Sequence, residues 1–283
     1  MNSLLDLFPQ LPVADWVTEI VDWLTQNLAF LFDVLKHTGN SSMHSLTNML
    51  LFIPPLVFIA LVMAIAFYAN QQKFGLATFC GLGLWYIYNQ GLWQDLMFTL
   101  TLVIMASVVS IVIGIPLGIW MAKSEWANRV IQPLLDFMQT MPAFVYLIPA
   151  VAFFGIGMVP GVFASVIFAL PPTVRFTNLG IRQVPEEMVE AAESFGSTPS
   201  QRLFKVELPI AKNTILAGVN QTTMLALSMV VIASMIGAPG LGANVLTALQ
   251  RAEVGSGFVS GFALVILAII LDRIMQSAAS DKN

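Results

Sequence analysis

The stretch Val184–Pro209, VPEEMVEAAESFGSTPSQRLFKVELP, is a polar island between long apolar runs. Its punctuation is that of two short helices. Pro185 suits a first helical position, and Glu186, Glu187 and Glu190 sit in or near the opening turn, where the helix dipole favours negative charge. Gly196 can adopt the left-handed conformation that ends a helix. Thr198 then reads as an N-cap, Pro199 as a first helical residue, and Gln201 completes a capping-box pattern. Pro209 is expected to break the second helix before the chain turns apolar again. A helix–glycine–helix knob of this kind is shaped to dock into a partner.

Composition sets the surroundings of the island. Of 283 residues, 57% are hydrophobic and 10% are charged, whereas soluble domains carry about 25% charged residues. With a mean hydropathy of +0.81, the sequence reads as an all-α polytopic membrane protein. The bases are dispersed, so no nucleic-acid partner is expected. Cys80 is the single cysteine, which excludes an intrachain disulfide and argues against redox or zinc chemistry. The N-terminus lacks a basic region followed by a short apolar core, so no cleaved signal peptide is expected.

A bilayer-crossing helix needs roughly 20 mainly apolar residues. Seven segments qualify as transmembrane helices: Leu51–Ala69, Phe74–Leu92, Leu96–Ala122, Ala143–Met158, Gly161–Phe176, Thr214–Ile236 and Phe258–Met275. The fourth and fifth are short, and Met158-Val159-Pro160-Gly161 reads as a tight hairpin between them. With the island in the cytoplasm and the spans alternating, the inside holds Lys73, Lys123, Arg129, Arg175, Arg182, Arg202, Lys205, Lys212, Arg273 and Lys282. The outside holds Lys36 and Arg251. That asymmetry predicts an outside N-terminus and a cytoplasmic C-terminus.

The segment Leu11–Leu35 mixes acids with Trp16, Ile20, Trp23 and Leu24 at helical spacing. It is too acidic to span. It is expected to be an amphipathic helix, lying on the outer bilayer interface or packed on the protein's own outer face. Gly39-Asn40-Ser41-Ser42 then reads as a turn into the first span. The expected division is an extracellular or interfacial segment at 1–50, an accessory transmembrane pair at 51–93, a core at 94–278 that contains the loop 184–209, and a cytoplasmic tail at 279–283.

No phosphate-cradling G-x-x-x-x-G-K-[ST] run is present, so the chain is not expected to be an enzyme or to hydrolyse ATP itself. Gly237–Gly242 follows an apolar helix and reads as an extracellular turn. Asp95, Asp136 and Asp272 fall at span edges or outside the spans, which argues against an ion relay. Glycines and prolines punctuate the apolar segments: Gly114-Ile115-Pro116-Leu117-Gly118 lies within the third span, Pro142 and Pro149 frame the fourth, and Pro171-Pro172 ends the fifth.

Glu190-Ala191-Ala192, Gly196 and Leu208-Pro209 resemble the "EAA…G…LP" loop of ABC importer permeases. The resemblance implies a type I importer permease fold, with these residues coupling to the ATP-hydrolysing subunit. Asp136–Ala150, Ala169–Pro185 and Gly218–Gly242 resemble the glycine betaine/proline betaine, or compatible-solute, branch, over about Leu96 to Met275. That branch implies a homodimer in the cell membrane, two cytoplasmic ABC ATPase subunits that bind ATP and magnesium, and an extracytoplasmic substrate-binding protein or lipoprotein. It implies a role in osmoprotection and no cofactor in this chain. Phe144, Tyr146, Phe153 and Phe154 are candidates for a weak site along the substrate pathway, because aromatic faces attract a quaternary ammonium; ordinary packing is the competing reading. The functional alternatives are an importer of choline, carnitine, proline or an amino acid, an ion-driven secondary transporter, and an osmotic channel.

Overall fold

The computed structural model describes residues 11–69 and 74–279. Lys73, Lys282, the first ten residues of the N-terminal segment and residues 280–283 of the tail lie outside the described residues. Within them the fold is helical throughout. The order begins with α1 (Val13–Asn27), α2 (Ala29–Phe52), α3 (Pro55–Ala69), α4 (Phe74–Asn89), α5 (Trp93–Lys123) and α6 (Glu125–Thr140). A 3-10 turn (Ala143–Tyr146) leads into α7 (Leu147–Phe154), and α8 (Met158–Arg182) follows. The polar island contains α9 (Glu186–Ser194), α10 (Pro199–Arg202) and a π-helical turn (Leu203–Glu207). The chain closes with α11 (Leu208–Ser234), α12 (Leu241–Gln250) and α13 (Val254–Ala279).

α8 is the axis of the bundle, with no exposed residue between Met158 and Asn178. Small residues let its neighbours come close. A Cβ on Gly114 or Gly118 of α5 would lie 2.8 Å from Thr173 and 2.5 Å from Thr177, so α5 and α8 run parallel in contact. On the other side, Gly161 faces Ala233 and Gly218 faces Phe176, which makes α11 antiparallel to α8. Thr222 of α11 is hydrogen-bonded to Thr173 at 2.7 Å and donates to the Ala169 carbonyl at 2.8 Å. Gly83 of α4 sits against Ile266 of α13, placing the accessory pair on the flank of the core. At the end away from the island, Asn244 donates to Asp95 at 2.7 Å, and the Leu241 amide donates to Thr99 at 2.9 Å.

Several spans differ from their expected form. Among the described residues, four helices are long and apolar enough to cross a bilayer: α5, α8, the continuous helix Pro199–Ser234 and α13. Two bent pairs, α2 with α3 at 95° and α6 with α7 at 107°, bring the number to six if each pair is one span. The expected fourth span is not one helix. It is the 3-10 turn plus the eight residues of α7, and its break lies at Gly155 and Gly157, whose φ angles are +77° and +135°. Consequently Met158–Gly161 is not a hairpin but the first turn of α8. Pro171 and Pro172 lie inside α8 rather than ending it; in a packed bundle, hydroxyls of neighbouring helices can satisfy backbone groups around such prolines.

The N-terminal segment forms two helices, broken at Leu28. α1 buries no residue and leaves Trp16, Ile20 and Trp23 exposed. α2 instead packs across the end away from the island. Phe32 stacks on Phe153 at 4.5 Å, and Thr47 is hydrogen-bonded to Thr101 at 2.9 Å. Gly39–Ser42 is not a turn. It stays helical because Gly39 fits against Val159 while Met43 and Thr47 are buried, so tertiary packing overrides weak helix propensity. The turn falls later, at Ile53–Pro54.

Candidate functional site

The island is a rigid knob whose shape follows from its caps. Pro185 is the N-cap of α9, one position before its expected place, with Glu186 and Glu187 in the first turn. The helix closes as the Gly196 amide donates to Glu193 at 2.8 Å and the Ser197 amide donates to Ala192 at 3.0 Å. Gly196 has φ +75° and nothing within 4 Å of where a Cβ would sit. Its constraint is therefore the backbone conformation rather than crowding. The capping box forms as expected: the Gln201 amide donates to Thr198 Oγ1 at 3.3 Å, and the Thr198 amide donates to Gln201 Oε1 at 3.0 Å.

Pro209 does not break the chain. The π-helical turn carries the backbone from α10 straight into α11, and Pro209 sits in the first turn of that helix. Proline removes one donor from a helix, and the wider register of a π turn at the same place accommodates the loss. Glu190, Ala191, Gly196 and Pro209 are exposed, while Ala192 and Leu208 are half-buried. The knob also exposes apolar side chains: Phe195 is 91% exposed, and Met188 and Phe204 are also open.

A line of charges ties the knob to the bundle. Arg202 pairs through one nitrogen with Glu193 of α9 and through Nε with Glu207 at 3.1 Å. Glu207 also pairs with Lys123, the last residue of α5. Its side chain is 3% exposed, against 22% for Arg202 and 36% for Lys123. One buried carboxylate at the start of α11 therefore joins α10 to α5, and Arg202 extends the link to α9. Beside it, α6 is clamped antiparallel to α8: Asp136 pairs with Arg175, Asn178 donates to Asn128 at 3.1 Å, and Arg182 pairs with Glu125 at 2.7 Å.

The four aromatic candidates do not form one site. Phe153 and Phe154 pack with Phe32, and Phe154 also meets Phe163. Tyr146 is buried in a separate cluster with Leu147 and Met229, its hydroxyl donating to the Met138 carbonyl. Phe144 alone of the four is exposed.

The family model for binding-protein-dependent transport system inner membrane components matches residues 114–280, from the α5 glycines through α13. The chain belongs to this family. Three relatives match nearly its whole length. The glycine betaine/carnitine transport permease protein GbuB of Listeria monocytogenes is 57% identical, over 95% of this chain and 96% of that protein. The glycine betaine transport system permease protein OpuAB of Bacillus subtilis is 49% identical, over 99% and 98%. The glycine betaine/proline betaine transport system permease protein ProW of Escherichia coli is 48% identical, over 99% of this chain and 79% of its own length. The fold is also that of an inward-facing MetNI methionine ABC transporter chain, with a TM-score of 0.59 and 22% identity over 67% of this chain and 96% of that one.

In this inner membrane component, the sequence reading missed Arg202, Glu207, Lys123 and Phe195. Two signals were available. A phenylalanine stands at the tip of a polar loop, and Arg175, Asn178 and Arg182 fall at i, i+3 and i+7 on α8, matching Glu125, Asn128 and Asp136 on α6. Nothing local marks Glu207 as buried, because its partner Lys123 is remote in sequence.

Proposed function

We propose that this chain is the transmembrane permease subunit of an ATP-driven importer of glycine betaine and related compatible solutes. The observation that carries the coupling role is the exposed Phe195 on a knob wired through Glu207 to α5. An apolar residue so exposed beside a fixed helix turn is an anchor for a protein cleft. The solute follows from the glycine betaine named for all three relatives.

In this reading two copies of the chain form the pore, and two ABC ATPases below them bind ATP and magnesium. A substrate-binding protein or lipoprotein delivers the solute at the opposite face. The knob faces the cytoplasm. The gathering of Lys123, Arg175, Arg182, Arg202 and Lys205 at that end supports this orientation, with the N-terminus outside and the C-terminal tail inside. The accessory pair and N-terminal helices flank a core that starts near residue 94. Closure of the ATPases draws the two knobs together through Glu190, Ala191, Ala192 and Gly196, with Leu208 and Pro209 carrying the motion into α11. The pore then opens outward, accepts the solute and returns inward after hydrolysis.

Two substitutions test the knob. Phe195→Ala is expected to weaken ATPase binding by about thirtyfold, the loss typical of a central anchor, without reducing the amount of inserted permease; a pull-down titration reads it. Gly196→Val places a β-branched residue at φ +75°, a strain of about 1–3 kcal/mol. It is expected to lower solute moved per ATP hydrolysed severalfold while hydrolysis continues. A fully active Gly196→Val complex would remove the knob from the coupling account. For the whole reading, the experiment is uptake of labelled glycine betaine into proteoliposomes holding the permease, its ATPase and its binding protein. Accumulation that requires internal ATP and is competed by proline betaine supports it. Uptake that ignores ATP refutes the importer, and ATP-stimulated assembly without betaine uptake refutes the solute.

A further inference from the structure

α11 carries a face unlike those of the other long spans. Asn213, Ala217, Gln221, Ser228 and Met235 are exposed and Met224 is half-buried. At 3.6 residues per turn all six fall within about 80° of arc. The exposed mid-span residues of α5 are Val108, Val112 and Ile113, and those of α13 are Phe262, Val265 and Ile269, which suit hydrocarbon. Gln221 does not. It lies at the centre of α11, 13 residues from Leu208 and 13 from Ser234 (221 − 208 and 234 − 221). Its side chain makes no hydrogen bond among the described residues. A primary amide has two donors and an acceptor, and lipid satisfies none of them. The opposite side of α11 is closed by Thr222 on α8 and by Met229 in the cluster with Tyr146. The amide therefore faces water or another polar group.

We propose that this face of α11 lines the aqueous route of the solute, and that the Gln221 amide donates to the carboxylate of a passing small zwitterion. The inference rests on the importer reading above and names the helix face that the solute meets. A neutral amide suits this task. It offers a hydrogen bond without a charge that would hold the solute tightly, and a route needs sites weak enough to leave. The same face follows directly, through the π turn, from the knob.

The test uses single cysteines in a Cys80→Ala background, in the complete complex, probed with trimethylammonium-ethyl methanethiosulfonate, a membrane-impermeant cation. Gln221→Cys and Ser228→Cys are expected to react at least about tenfold faster than Val112→Cys on the lipid-facing side of α5, as mid-span water exposure requires. Ser228→Cys serves if Gln221→Cys does not assemble. Reaction of both α11 cysteines only with a lipid-soluble maleimide would overturn the proposal, as would a Gln221 disulfide between two copies that shuts out the water-borne probe. Labelling does not depend on transport. A complex that labels but moves no glycine betaine keeps the route and removes the solute; one that moves betaine but does not label removes only the route. Gln221→Asn is expected to keep most uptake, whereas Gln221→Leu loses about tenfold, the scale of one charge-assisted hydrogen bond. Equal uptake by the asparagine and leucine variants would refute the amide's role.

Discussion

A Glu207→Gln permease is expected to reach the membrane in ordinary amounts and to lose about tenfold in solute moved per ATP hydrolysed. The carboxylate is almost fully buried and neutralises both Arg202 and Lys123. Removing one partner of a buried ion pair costs about 3–5 kcal/mol. Here both cations reach solvent, so screening reduces this to about 1.5 kcal/mol, or roughly tenfold in the equilibrium between knob positions. Glutamine keeps the shape of the side chain and its acceptor, so the loss falls on the charge link rather than on packing. Arg202→Lys should fail in the same way, because one ammonium cannot reproduce the guanidinium's separate ion pairs with Glu193 and Glu207. Parallel assays of ATP hydrolysis and uptake read the ratio. A variant with reduced yield but an unchanged ratio would make the pair merely structural.

Gly118→Val is expected to prevent stable folding. A Cβ there would lie 2.5 Å from Thr177 Cβ and 2.7 Å from the Val174 carbonyl oxygen. Rotating the threonine side chain leaves its Cβ in place, so neither that atom nor the carbonyl yields unless α8 moves. α8 has nowhere to go, because on its other side Gly218 already lies where a Cβ would be 2.6 Å from Phe176. Overpacking costs about 1–3 kcal/mol where neighbours can shift, and this site belongs at or above the upper end. Thermal unfolding of the detergent-extracted chain measures it. Gly255→Ala, with nothing within 4 Å, is the silent control.

The sequence carried the knob more fully than the spans. Helix caps are local, so Thr198, Gln201 and Gly196 revealed themselves through spacing alone. Apolar runs located the main helices, but hydropathy cannot distinguish one crossing helix from a bent pair of short ones. Ala143–Met158 is apolar throughout, and its break depends on two glycines whose positive φ angles no composition count registers. Gly39–Ser42 failed in the opposite sense: turn-forming residues stayed helical because Val159 and Thr101 wait beside them. The aromatic candidates scattered for the same reason. Their rings fill gaps between helices brought together from distant parts of the chain, and neither the Phe32–Phe153 stack nor the Glu207–Lys123 pair has a local signature.

The uninterrupted helix from Pro199 to Ser234 makes the molecule a first-class lever. Its 36 residues extend roughly 54 Å at 1.5 Å per residue. Its fulcrum is the tight crossing where Gly218 meets the backbone of α8 near mid-length. One arm ends in the knob; the other, of nearly equal length, ends at Ile236, whose carbonyl accepts from the Gly157 amide at the root of α8. A tilt of about 10° about that fulcrum swings the two tips several ångströms in opposite directions. In the transport cycle proposed above, inward closure at one face and outward opening at the other would be a single displacement of one body, bearing on the Gly157–Ile236 hydrogen bond.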